Sequence, residues 1–204
     1  LSGEERDAYE ALKVTFGSYG LDTLAPKILE YVQQGYGSDT ISILLQKSPE
    51  YKKRFAGNET RKAKGLPVLS PAEYLATEQS YRQLMRNAGL PEGFYDQVDD
   101  FTKLISGDVS PTELKTRVDA AVQVTEYADP ALKQSLKNLG VGDGGMVAWF
   151  LDPERATTLI QKEINASQIG AAALRNNLQM DNSNVRNWAT MGVTAEQGAF
   201  GYAR

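Results

Sequence analysis

The side chains able to do chemistry are few in this 204-residue chain, and two absences narrow them further. With no Cys, thiolate nucleophiles, disulfides and Cys-ligated metals are excluded. With no His, the commonest general base at neutral pH and the usual zinc ligand are gone. Catalysis would have to rest on carboxylates, Lys, Tyr or Ser. Glu92, Asp96, Asp99 and Asp100 form an acidic corner of the kind that paired-carboxylate chemistry or calcium would use. Its spacing lacks the alternating oxygen ligands of a calcium loop, and Asp96 is placed to cap the next helix.

Lys47, Lys52, Lys53, Arg54, Arg61, Lys62 and Lys64 make a basic cluster opposed within its window by Glu50 and Glu59 alone. A solvated helix face is the expected reading, with phosphates or an acidic partner as the alternative. Gly142-Asp143-Gly144-Gly145 is Gly-rich, but no strand precedes it and no Lys follows, so it reads as a loop with Asp143 as a cap. Ala166 with Gly170, and Ser167 with Ala171, place small residues one helical turn apart. That spacing admits close approach by another helix of the same chain or, alternatively, of a second copy. Trp149, Trp188 and Phe200 are the aromatic anchors expected at an interface.

These residues must be positioned by helices. Ser2-Gly3-Glu4-Glu5 is a capping box, and Ser70-Pro71 and Ser110-Pro111 combine a hydroxyl cap with Pro at the first helical position and Glu at the third. Six pairs (Gly20-Leu21, Gly35-Tyr36, Gly65-Leu66, Gly89-Leu90, Gly140-Val141 and Gly192-Val193) put Gly and then an apolar residue after a helical run, the signature of a left-handed C-terminal cap. Tyr9, Leu12, Val14 and Phe16 give the first helix an apolar side. Leu21 to Gln34 reads as a second helix, Asp39 as the cap of a third, and Ser48 as the cap of a fourth. Longer helices are expected over 71–88, 111–127 and 153–177, and short amphipathic segments around Trp188 and Phe200. No stretch alternates with period two, so the expected class is all-α, with about ten short to medium helices. The expected organisation is a small helical subdomain over 1–64, a main helical domain over 65–178 and a helical tail over 179–204.

Net charge is −4 with a sequence pI near 5.0, which provides no global basic field for nucleic acid. No apolar run approaches the roughly 18 residues of a membrane span. Nothing points to a cofactor or a metal. The chain opens on Leu1, so it is expected to be a processed product or a segment of a longer chain.

Six phrases, taken together, carry a resemblance: Ser48-Pro-Glu-Tyr-Lys-Lys-Arg-Phe55, Leu69-Ser-Pro-Ala-Glu-Tyr-Leu75, Ala88-Gly-Leu-Pro-Glu-Gly-Phe-Tyr-Asp96, Asp108-Val-Ser-Pro111, Phe150-Leu-Asp-Pro-Glu-Arg155 and Gln168-Ile-Gly-Ala-Ala172. Over roughly residues 40–175 the chain resembles virion structural proteins of tailed bacteriophages. The resemblance implies a non-enzymatic virion component, tail- or portal-associated or internal and ejected, meeting other virion proteins and further copies of itself. It transfers no catalytic residues. The candidate interaction residues are Lys52, Lys53, Arg54, Arg61, Lys62, Lys64, Ala166, Gly170, Trp188 and Phe200. Two alternatives stand beside this: a peptidoglycan-degrading helical domain using carboxylates, and an internal protein contacting DNA through the basic cluster.

Overall fold

The computed structural model describes residues 1–175, with side chains described through residue 168. Among the described residues there are eleven α-helices and no strand: α1 (Gly3–Ser18), α2 (Ala25–Gln33), α3 (Ser38–Gln46), α4 (Pro49–Arg54), α5 (Ala56–Ala63), α6 (Pro71–Asn87), α7 (Val98–Ser106), α8 (Pro111–Glu126), α9 (Pro130–Asn138), α10 (Asp143–Leu151) and α11 (Pro153–Arg175). The protein is all-α.

Local chemistry explains most of the boundaries. Ser2 accepts the Glu5 amide while the Glu5 carboxylate accepts the Ser2 amide, closing the capping box of α1. Ser48, Ser70 and Asp129 accept the amides of Tyr51, Glu73 and Ala131 at the starts of α4, α6 and α9. Five of the six Gly stops have positive φ, from +69° at Gly89 to +95° at Gly140; Gly192 lies outside the described residues. In each of the five the following amide reaches back five residues, as Leu90 N–H does to the Met85 carbonyl, which satisfies an otherwise orphan carbonyl. A sixth stop of this kind escapes the Gly rule. Val109 N–H bonds the Leu104 carbonyl across Asp108, whose φ is +56°.

Several sequence expectations need correction. Val14 is 70% exposed, so the buried side of α1 is Leu12 and Phe16; Val14 sits a half-turn off that stripe. The second helix opens with a 3-10 turn over Asp22–Leu24. Gly37 and Gly142 are the N-caps of α3 and α10, and Asp39 and Asp143 lie two and one positions inside, in the first turn, where the helix dipole favours acids. The Gly142–Gly145 stretch is therefore mostly helix. Asp96 accepts the Gly93 amide at 3.1 Å, ordering its own loop, while Asp99 and Asp100 occupy the first turn of α7.

The described chain forms two compact units that interleave in sequence, unlike the consecutive division expected at residue 64. The first takes Leu1–Gln79 with Val98–Ser110, and the second takes Ser80–Gln97 with Pro111 onward. The expected tail over 179–204 lies outside the described residues. The interleaving follows from α5, which packs closely on α7. A β-carbon on Gly57 would stand 2.8 Å from Cγ2 of Ile105 and 2.9 Å from the Tyr74 hydroxyl, so only Gly lets the two backbones meet. The core of the first unit joins Phe16, Ile28, Ile41, Leu45, Phe55, Tyr74, Phe101 and Ile105. That of the second includes Phe94, Ala148 and Ala156, with Leu90, Leu151, Leu159 and Ile160 packed around them.

A candidate docking surface and the fate of the charged clusters

The basic cluster divides by role. Arg54 forms a two-pronged pair with Glu78, at 2.8 and 3.1 Å, and its Nε donates to the Tyr19 carbonyl at 2.8 Å. Arg61 is buried; its Nε donates to the Pro67 carbonyl at 2.7 Å, and one terminal nitrogen reaches the Ile105 carbonyl and, at 2.7 Å, Asp108. Both arginines are therefore internal fasteners of the first unit, which corrects their expected place on an interaction face. Arg suits these sites because its planar fork can serve several carbonyls and a carboxylate together. Lys64 donates to the Ser106 carbonyl at 3.1 Å from an exposed position, and Lys52, Lys53 and Lys62 are exposed. Changing Lys52, Lys53 and Lys62 together to Glu is expected to alter stability by less than about 1 kcal/mol, whereas Arg61→Gln should cost about 3 kcal/mol; urea titration compares them.

Beside this fastener lies an aromatic group: Phe16, Tyr19, Tyr51, Phe55 and Tyr74, the last two edge-to-face with ring centroids 5.1 Å apart. The Tyr74 hydroxyl accepts the Gly57 amide at 3.1 Å. Burial pushes the phenols of Tyr51 and Tyr74 above the ordinary value of 10.0. An acid whose folded pKa is raised loses stability as pH climbs above the unfolded value, because the unfolded chain releases the proton first. Stability should therefore hold below pH 10 with respect to these groups and fall above it. Tyr74→Phe should lose about 1–2 kcal/mol at neutral pH with the Gly57 bond, yet show a shallower alkaline decline. Denaturant titrations on either side of pH 10 measure both effects.

In the second unit, Tyr95 is held at φ +54°. Its hydroxyl donates to Asp152 at 2.6 Å, the Arg155 guanidinium lies 4.7 Å from its ring centre, and Arg155 donates to the Gly93 carbonyl. Asp152 also accepts the Arg155 amide, capping α11. This cluster ties the loop after α6 to the start of α11, and every named polar atom has a structural use.

One unfilled feature of the second unit is apolar. Ala128, Leu132, Leu136, Val141, Met146, Trp149, Phe150 and Ile160, with Lys133 as the one charged member, surround a cavity of about 370 Å³. Its walls come from α9, α10, α11 and the turns that flank α9. Leu132, Trp149 and Phe150 are 52%, 44% and 41% exposed. Helix α9 buries none of its residues, although Leu132, Leu136 and Leu139 share one face at i, i+4 and i+7. That apolar face is left largely open by the described residues. Of the three aromatic anchors expected from sequence, Trp149 falls here, while Trp188 and Phe200 lie outside the described residues. The sequence signal for the remaining wall is the Leu spacing of α9.

The small-residue turn of α11 packs internally where it is described. Ala166 is buried, and a β-carbon on Gly140 would collide with Ser167. Gly170 belongs to α11, and its surroundings lie outside the described side chains. Among the described residues no helix is long and apolar enough to cross a membrane, and no group of three acids stands close enough to hold a metal ion. No protein-family model, curated protein or solved structure matches the chain.

Proposed function

We propose that this chain is a non-enzymatic assembly component of a tailed-bacteriophage virion, a minor tail- or portal-associated protein or an internal ejected one, joined to neighbouring virion proteins and to further copies of itself by helical faces. The observation that carries the docking part is the uncovered apolar face of α9 and α10, with Trp149 and Phe150 at its mouth. Contiguous exposed apolar surface of this kind marks interaction sites, and aromatic residues dominate the energetics of interfaces. The virion setting rests on the resemblance of residues 40–175. Arg54 with Glu78, Arg61 with Asp108, and Arg155 with Asp152 are engaged in fasteners and a cap, which fits a scaffold of short rods within each unit.

Imaging of intact particles, with mass spectrometry of their proteins, tests the setting: the chain is expected at defined positions in the particle, and its absence from purified particles would overturn the proposal. A peptidoglycan assay tests the non-enzymatic part. Hydrolysis that disappears on one Glu substitution would replace an assembly role with catalysis.

A further inference from the structure

We propose that the apolar cavity of the second unit binds a medium-length aliphatic carboxylate, with the hydrocarbon chain in the hollow and the carboxylate held by the ammonium of Lys133. The inference goes beyond the assembly reading and uses neither its virion setting nor a neighbouring protein. The cavity is graded from floor to mouth. Val141 and Met146 are buried at its floor, while Leu132, Trp149 and Phe150 are open to solvent at its mouth. Ala128, Leu136 and Ile160 complete the apolar wall. Apart from the indole N–H of Trp149, Lys133 alone among the described wall residues has a polar side chain. A wholly polar ligand would give up its hydration there without a partner. A chain of methylenes gains instead, by about fourfold in affinity for each one buried. At roughly 30 Å³ for a water- or methylene-sized group, a hollow of about 370 Å³ takes about ten to twelve carbons.

The head group follows from charge. Lys133 is half-buried, and its Nζ donates to the Glu126 carbonyl at 3.2 Å, which ties the ammonium to the end of α8 at the edge of the cavity where Ala128 lies. An ammonium carries three donors, and a carboxylate is the partner that takes such donors in charge-assisted bonds. The neighbouring acid Asp129 is already used, accepting the Ala131 amide at 2.8 Å as the cap of α9. Size argues against a second copy as the occupant. A stable dimer needs about 800 Å² of surface from each partner, whereas this hollow suits one small apolar group.

Isothermal titration of the full chain with sodium decanoate, below its micelle concentration, is expected to show one saturable site per chain. Decan-1-ol, which keeps the hydrocarbon and lacks the charge, should bind about tenfold more weakly, and decyltrimethylammonium more weakly still. Octanoate, shorter by two methylenes, should also lose about tenfold. Lys133→Gln should weaken decanoate about tenfold and leave decan-1-ol unchanged, whereas Lys133→Arg, which keeps the charge, should stay within about threefold of the parent. Both variants are expected to fold, since α9 buries none of its residues, and circular dichroism checks this. The lack of a saturable decanoate site overturns the proposal. Equal affinity for decanoate and decan-1-ol does so as well, and so does a Lys133→Gln chain that binds decanoate like the parent. Saturation seen only on dilution overturns it by assigning the cavity to a second copy, and capture by phospholipid vesicles without a decanoate site does so by assigning it to a lipid surface. The titration uses the isolated chain, so its failure leaves the virion reading standing, and absence of the chain from particles leaves this site standing.

Discussion

Gly144→Ala is expected to destabilise the second unit by about 2 kcal/mol or more, against the sign that helix propensity alone would give. Gly144 lies within the first turn of α10, and Ala in a helix is ordinarily favoured over Gly by about 1 kcal/mol. A β-carbon at this position would run into the carbonyl oxygen of Gly89. That oxygen belongs to the left-handed residue that ends α6, where Leu90 N–H is bonded back to Met85, so the backbone there cannot swing aside without breaking the stop. Overpacking costs about 1–3 kcal/mol when side chains can yield, and more is expected where the obstacle is backbone. Gly145→Ala provides the comparison. Its β-carbon would meet Cγ1 of Val141 at 3.0 Å and a Glu163 oxygen at 3.1 Å, both side-chain ends able to shift, so a change within about 1 kcal/mol is expected. Denaturant unfolding followed by circular dichroism reads both variants. A Gly144→Ala chain as stable as the parent would refute the close approach of α10 to the end of α6.

The other large effect concerns the pair that ties α4 to α6. The Glu78 side chain is 6% exposed and that of Arg54 22%. The guanidinium is held further above its usual value, first by the hydrogen bond to Glu78, with burial opposing. Removing Arg54 strands a carboxylate in the interior, so Arg54→Ala should cost about 3 kcal/mol. Glu78→Ala should cost less, about 2 kcal/mol, because the guanidinium keeps the Tyr19 carbonyl and retains some access to water. Replacing both at once, as Arg54→Met with Glu78→Leu, is expected to come within about 1 kcal/mol of the parent, since neither charge is then left alone. Raised pKa at Arg54 means that its stabilisation is complete below the ordinary arginine range and is lost only as pH climbs beyond it, so Arg54 gives no pH response near neutrality. A double-mutant cycle by urea unfolding decides the matter. If Arg54→Ala costs under about 1 kcal/mol, solvent screens the pair and it is not a fastener.

The order of the elements and most of their ends were legible in the residues. Ser2, Ser48, Ser70 and Asp129 cap where their side chains demand, because capping is settled within four residues and needs no distant partner. The Gly stops were legible for the same reason: positive φ is a local demand that Gly meets at least cost. Asp108 shows the limit of that rule. It accepts the left-handed conformation, and its carboxylate reaches Arg61 on α5, a partner 47 positions earlier in the chain.

What tertiary structure alone decided is the use of each side chain whose partner is far away in sequence. Arg54 and Arg61 stand in the same basic run as Lys52, Lys53 and Lys62, and charge counting treats them alike. Packing alone sends the arginines inward and leaves those three lysines exposed. Gly144 and Gly145 read as a loop, but close helix packing makes them part of a rod. Likewise the leucines of α9 announce a helix, and only the placement of α10 and α11 shows that they line a cavity. Local sequence thus fixed where rods begin and end, because those choices depend on hydrogen bonds within a turn. Which faces are buried, paired or left open depends on surfaces brought together from distant positions within each unit, and that is a property of the folded molecule.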